Sequence, residues 1–232
     1  DLDRIEMDGD AISAGGRVTL AAFHAFIRER IPELARILEL FGSPQIRNAG
    51  TLAGNIANGS PIADTLPYLF VSGAELELTG IDGTRRVLVE RFYLGYKTFD
   101  LQPDELITRI VIPPTGGDVV KLFKVSRRLD LDISAFTAAV RLQLRGETIA
   151  AARIAYGGVG PVVMRLPKTE AFVTGRNAEL EVFEEAGRIA RSEIAPITDV
   201  RGSREYRLQL AENVLAKLWW ETFANASPSP RR

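Results

Sequence analysis

The chain has 232 residues, 46% of them hydrophobic and 25% charged, a globular balance that excludes wholesale disorder. Its 29 basic and 30 acidic residues leave a formal charge of −1, which excludes the electrostatic footprint of a nucleic-acid binder. There is no cysteine and one histidine, His24, so the chain carries no disulfide, no thiolate-bound iron–sulfur cluster and no thiol nucleophile.

A histidine-based zinc site or a Ser-His-Asp triad is equally unexpected. No apolar run reaches the length of a membrane span and no signal peptide is visible, so the expected location is the cytoplasm.

In chain order, "AISAGG" reads as a strand ending in a glycine turn. "VTLAAFHAFIRERI" follows with helical spacing at Leu20, Phe23, Phe26 and Ile27, and Thr19 is its N-cap. "PELARILELF" predicts a second helix with Pro32 in its first turn. Residues 41–69, "FGSPQIRNAGTLAGNIANGSPIADTLPYL", hold four glycines and three asparagines with almost no charge. They read as a long polar loop, with Ser60-Pro61 starting a helix that runs to about Val71. "AELELT" and "TRRVLVE" predict a hairpin around Asp82-Gly83, and "ELITRIVIP" predicts a strand closed by Pro113 and Pro114.

"TGGD" is the expected domain boundary. Beyond it "VVKLFKVS", "SAFTAAVRLQL" and "TIAAARIAYGGVG" read as three strands, the last two joined at Arg145-Gly146-Glu147. The remainder reads as helices, an α+β arrangement, and residues 225–232 read as a flexible polar tail.

The glycine-rich segment has two readings on its own chemistry. It is a ligand loop or a long surface loop. Glycine backbone can approach a ligand closely, and successive N–H groups make an anion-binding concavity. Thr51, Asn55, Asn58 and Ser60 add hydroxyl and amide donors, and Asp64 adds an acceptor. Neither a G-x-G-x-x-G fingerprint nor a P-loop is present. Elsewhere, Arg127 and Arg128 beside Asp130 and Asp132 read as a salt-bridged turn. Tyr93 and Tyr96 read as core, His24 as packed or surface, and Trp219-Trp220 as packing or interface residues.

"QIRNAGTLAGNIANGSPIADTLPYL" resembles the second FAD-binding loop of the flavin subunit of the xanthine dehydrogenase and carbon monoxide dehydrogenase family. "FYLGYKTFDLQPDELITRIVIP", "LFKVSRRLDLDISAFTAAVRL" and "ARIAYGGVGPVVMRLPKTEAFVTGR" resemble later segments of the same subunit, in order.

The resemblance implies the C-terminal part of a two-subdomain FAD-binding domain over residues 1–114, then a small domain of three-stranded antiparallel sheet packed with helices over 118–224. It implies that Gly50, Thr51, Leu52, Ala53, Gly54 and Asn55 bind the FAD pyrophosphate and ribityl region, with Asn58, Ser60 and Asp64 adding contacts. It places Phe41 against the flavin ring, Ile107 near the flavin or adenine, and Lys124 at the flavin's polar edge.

It also implies partners: a molybdopterin-binding large subunit, a [2Fe–2S] small subunit or domain, and NAD as acceptor. Two departures stand out. Ala53 replaces the first glycine of the family's pair, where a methyl fits only at negative φ. The family's earlier Ala-Gly-Gly loop has no counterpart, so the chain is expected to lack the N-terminal subdomain. The alternative implied is a scaffold that docks to partner subunits without binding flavin.

Overall fold

The computed structural model describes residues 2–129 and 131–224. Ile5–Asp8 (β1) and Ala11–Gly15 (β2) pair as a hairpin. Thr19 then caps Leu20–Ile27 (α1), its hydroxyl accepting from the Ala22 N–H at 3.1 Å. Pro32 opens Pro32–Glu39 (α2), where its missing N–H leaves no bond unmade. Leu34, Ile37 and Leu38 are buried on one face, as 3.6-residue periodicity requires.

Residues 41–69 are mostly helical, which corrects the loop expectation. Pro44–Ala49 (α3) and Leu52–Ala57 (α4) each start at a side-chain cap: Ser43 Oγ accepts from Ile46 N–H at 3.3 Å and Thr51 Oγ1 from Gly54 N–H at 2.9 Å. In α4 the cap, worth about 1 kcal/mol, offsets the similar penalty of the helical Gly54.

The helix expected from Ser60 begins at Leu66 instead, as Leu66–Ser72 (α5). Pro67 gives the reason. Deep inside a helix begun at Ser60 it would lack its N–H and clash with the carbonyl four residues back, so the helix starts just before it. Residues 60–65 form turns, with Ala63 N–H on the Ser60 carbonyl at 3.1 Å, and Asp64 precedes the helix.

Glu75–Gly80 (β3) and Gly83–Leu88 (β4) form the expected hairpin, turned by Ile81-Asp82 rather than Asp82-Gly83. Val89–Phe92 (α6) leads into a small pair, Tyr93–Gly95 (β5) and Thr98–Phe99 (β6). Leu106–Ile112 (β7) completes an antiparallel sheet of order β1-β2-β7-β3-β4.

Val119–Val125 (β8), Phe136–Arg145 (β9) and Thr148–Gly157 (β10) are the three expected strands. A two-residue strand, Met164–Arg165 (β11), joins them in the order β11-β10-β9-β8. Pro167–Val173 (α7), Leu180–Glu193 (α8) and Arg204–Thr222 (α9) follow.

Residues of this second sheet belong to two cores. Ala139 and Ala155 join the core of the first half, whereas Ala138, Val140, Ile154 and Tyr156 pack with Phe183 of α8 and Leu215 of α9. Phe136 to Val140 are all buried, which is why the stretch shows no alternation of apolar and charged residues. Every residue of α5 is buried. Arg153 ties the halves by donating to the Phe70 carbonyl and to Glu90, both at 2.9 Å. Among the described residues no helix is long and apolar enough to cross a membrane.

His24 is packed, with Nε2 at 3.6 Å from Glu39. Trp219 donates Nε1–H to the Ala178 carbonyl at 2.8 Å, while Trp220 is exposed. Arg128 N–H holds the Asp132 carboxyl at 2.8 Å and below the usual carboxylate range, and of the expected salt-bridged turn the Arg128 guanidinium makes the ion pair, at 3.5 Å. Asp130 and the 225–232 tail lie outside the described residues.

Candidate functional site

The start of α4 is clamped by the strand-to-helix connection before α1. Leu20 N–H reaches the Gly50 carbonyl at 2.8 Å and Leu52 N–H reaches the Val18 carbonyl at 3.1 Å, around a Thr19–Thr51 bridge. Leu52 and Ala53 turn their side chains into the core. Ala53 has helical, negative φ, so its methyl packs inward instead of obstructing an approaching ligand.

What this turn offers outward is the Thr51 hydroxyl proton, the exposed Gly54 and the amide of Asn55. Asn55 Oδ1 accepts from Thr65 Oγ1 at 2.6 Å, which leaves its NH2 as the donor. The Ala53 N–H, in the first turn of α4, has no partner within the helix.

The far end of α4 is held by the β5–β6 hairpin. Tyr93 OH donates to the Ile56 carbonyl at 2.9 Å, and burial pushes that phenol well above its ordinary range. Lys97 Nζ donates to the Asn58 carbonyl at 2.5 Å and to its Oδ1 at 3.2 Å. Gly59 sits at φ +59°, and a Cβ there would stand 2.6 Å from the Phe99 ring, so only glycine fits this turn. Tyr93 is core as expected, but Tyr96 is exposed and lines a cleft.

Asp64 and Lys124 meet each other. Their side chains are 6% and 2% exposed, and Nζ lies 2.6 Å from Oδ2. Lys124 also donates to Ser134 Oγ at 2.8 Å and to the Asp132 carbonyl at 3.1 Å, so all three ammonium protons have protein partners. Ser134 in turn donates to Asp64 Oδ1. The Asn55–Thr65 bond joins this buried pair to the start of α4.

Phe41 is part-buried against the first core between α2 and α3, its carbonyl accepting from Arg47 at 2.8 Å. Ile107 packs on the same core from β7, beside Gly16, where a Cβ would stand 2.2 Å from the Ile107 carbonyl oxygen. Neither Phe41 nor Ile107 lines the cleft that borders Asn58 and Ser60.

That cleft has a volume of about 600 Å³ and lies between the two halves of the chain. Ile62, Tyr96 and Lys97 line it from the first half, and Ile133, Ile197 and Arg201 from the second. Arg207, 2% exposed, secures its floor: Nε donates to the Ala135 carbonyl at 3.0 Å, one terminal nitrogen to the Ile197 carbonyl at 2.6 Å and the other to Asp199 at 2.8 Å. Reading the sequence missed Lys97, Asp199, Arg201 and Arg207, which meet only through folding. The one local signal was the dense run of turn and charge residues in "TDVRGSR".

Burial works to raise the Asp199 carboxyl, but the Arg207 hydrogen bond and the Arg201 N–H outweigh it and hold it below the usual carboxylate range. A carboxyl depressed on folding stabilises the fold above its unfolded pKa of about 3.9 and loses that contribution as pH falls below it. Asp199→Asn is therefore expected to lower the urea midpoint at about pH 7, with the difference from wild type closing toward about pH 3. A difference that is constant with pH would show that the Asp199 charge does not carry the effect.

Residues 1–115 match the family described as the FAD binding domain in molybdopterin dehydrogenase, and residues 121–222 match the CO dehydrogenase flavoprotein C-terminal domain. The carbon monoxide dehydrogenase medium chain of Afipia carboxidovorans is 31% identical over 94% of this chain and 76% of its own. The chain belongs to the carbon monoxide dehydrogenase and xanthine dehydrogenase flavoprotein family.

Its cofactor is FAD, as the family's description states. A solved structure of reconstituted CO dehydrogenase from Oligotropha carboxidovorans superposes with a TM-score of 0.86 at 30% identity, covering 93% of this chain and 76% of that one. Xanthine dehydrogenase of Oryza sativa is 30% identical over 94% of this chain, which spans only 17% of that relative's length.

The residues of this flavoprotein fit the cofactor. A hydroxyl, a side-chain amide and the Ala53 N–H lie together at Thr51–Asn55, donors of the kind that a phosphate and a polyol need.

Proposed function

We propose that this chain is the flavoprotein subunit of a molybdenum hydroxylase of the xanthine dehydrogenase kind, relaying electrons from [2Fe–2S] clusters on a partner to NAD or another acceptor. The partners are a molybdopterin-binding large subunit and a [2Fe–2S] small subunit or domain, since this chain has no cysteine to hold a cluster. FAD, when bound, supplies the exchange between one-electron and two-electron transfer.

The observation that carries the reading is the clamped start of α4, where Gly54 is exposed and Thr51 and Asn55 are part-buried, with Asn58 and Ser60 further along bordering a cleft. Thr51 and Asn55 hold the cofactor's polar spine. The Asp64–Lys124–Ser134 cluster fixes the turn that leads from that loop into α5. The cleft gives the acceptor its access.

Visible absorption of the purified chain with added FAD tests this. Bound flavin is expected, with Thr51→Ala lowering stability by about 1 kcal/mol through its lost cap and weakening flavin retention on the order of tenfold. A folded chain that takes up no flavin, alone or assembled with its partner subunits, would leave only the scaffold reading.

A further inference from the structure

We propose that residues 225–232, "NASPSPRR", dock back onto a second cleft in the C-terminal half, with Arg231 and Arg232 paired to its glutamates and Pro228 and Pro230 laid against its aromatic wall. This docking is separate from the flavoprotein reading and from the cleft beside Asn58.

The second cleft, about 510 Å³ in volume, opens where the β9–β10 turn, the start of α8 and the end of α9 meet. Leu144, Leu180, Trp219 and Phe223 give it apolar walls. Trp219 is fixed by its bond to the Ala178 carbonyl, and its ring meets that of Trp220 edge-on at 5.1 Å. Trp220 is 59% exposed, a large aromatic surface left to water.

The polar lining is Asn177 and three carboxylates, Glu147, Glu179 and Glu181, with no basic residue. All three glutamates are exposed, and among the described residues none has a basic group within ion-pair distance. Glu179 stands at the N-cap of α8 and Glu181 in its first turn, where the helix dipole favours acids, yet Glu179 makes no capping bond. Glu147 is brought beside them from the β9–β10 turn, its carbonyl accepting from the Ala178 N–H at 2.9 Å. Uncompensated charge of one sign on apolar walls concentrates its field on an incoming cation.

The segment after α9 matches this cleft in position, length and charge. The described residues run to Ala224, next to Phe223 of the cleft wall. Residues 225–232 span about 25 Å as a polyproline-II run at about 3.1 Å per residue, more than a cleft of this volume is wide. They carry two arginines and no acid. Pro228 and Pro230 favour that extended form, which aromatic-lined grooves take up at little entropic cost. The tether gives the segment an effective concentration on the order of mM, so individually weak contacts suffice.

Trp219 and Trp220 are the chain's two tryptophans, so intrinsic fluorescence reports on this cleft alone. The test is acrylamide quenching of that fluorescence in the full chain, at equal flavin loading. Arg231→Gln with Arg232→Gln should raise the quenching constant about twofold, as the indoles lose their cover. Glu179→Gln with Glu181→Gln should do the same, and all four together no more, because each pair removes the same contact. Salt at about 0.5 M should bring wild type toward the variants.

Arg231→Lys treated with a carbodiimide should link its ammonium to Glu147, Glu179 or Glu181 within one chain. Links joining two chains would overturn the proposal in favour of a second copy. A response to the glutamate pair without one to the arginine pair would give the cleft to a basic segment of another protein, and overturns it too. Quenching that ignores both pairs leaves the cleft without this occupant. None of these outcomes depends on whether the chain retains flavin.

Discussion

Asp64→Ala is expected to destabilise the fold by about 3–5 kcal/mol, because it leaves the Lys124 ammonium buried without its counter-charge. The magnitude follows from burial. Lys124 is 2% exposed, so water cannot replace the lost carboxylate, and the remaining partners are a hydroxyl and a carbonyl, both neutral. Ser134 also loses its acceptor.

The pair itself is worth less than either deletion suggests. Asp64→Leu combined with Lys124→Met should recover much of the loss, since replacing both partners with apolar groups removes the unpaired charge. Guanidinium unfolding of the two single variants and the double variant reads this as a coupling energy. Additive losses would show that the two side chains do not act as a pair. Flavin retention is expected to fall with Asp64→Ala, because Thr65, its neighbour, holds Asn55 at 2.6 Å.

The second large effect is Arg207→Ala, expected to cost about 3–5 kcal/mol as well. One guanidinium serves three acceptors: the Ala135 carbonyl just before β9, and the Ile197 carbonyl and Asp199 carboxylate of the α8–α9 connection. Its removal leaves the Ala135 and Ile197 carbonyls unmatched and takes one hydrogen bond from Asp199, which keeps those from Arg201 and Gly202. Arg207→Lys should recover only a small part, because a single ammonium cannot serve acceptors lying in three directions.

Hydrogen exchange should quicken across residues 195–203 in both variants, and the cleft floor should lose order there. Stability of Arg207→Lys equal to wild type would sink the idea of a three-way staple.

Much of the fold was legible because its signals are local. Thr19 capping α1, Pro32 opening α2 and the Gly146-Glu147 turn between β9 and β10 each depend on a few neighbouring residues. The misread segment shows the limit of composition. Residues 41–69 are rich in glycine and asparagine, yet Ser43 and Thr51 start two short helices there and Pro67 delays a third. Capping and proline geometry decided what residue counts suggested wrongly. Asp64 followed the same error, since its place before α5 rather than inside it frees it to turn toward β8.

By itself the sequence determined the family, the α+β class and the residue types at Thr51–Asn55. Each of these is written in contiguous residues. Only the tertiary structure decided that Asp64 and Lys124, sixty positions apart, neutralise one another. Only it brought Lys97, Asn58 and Arg201 around one cleft. The reason is that a charge declares its residue type in sequence but not its partner. Which carboxylate meets which ammonium, and which cation is left unmatched, depends on long-range packing that no local pattern encodes.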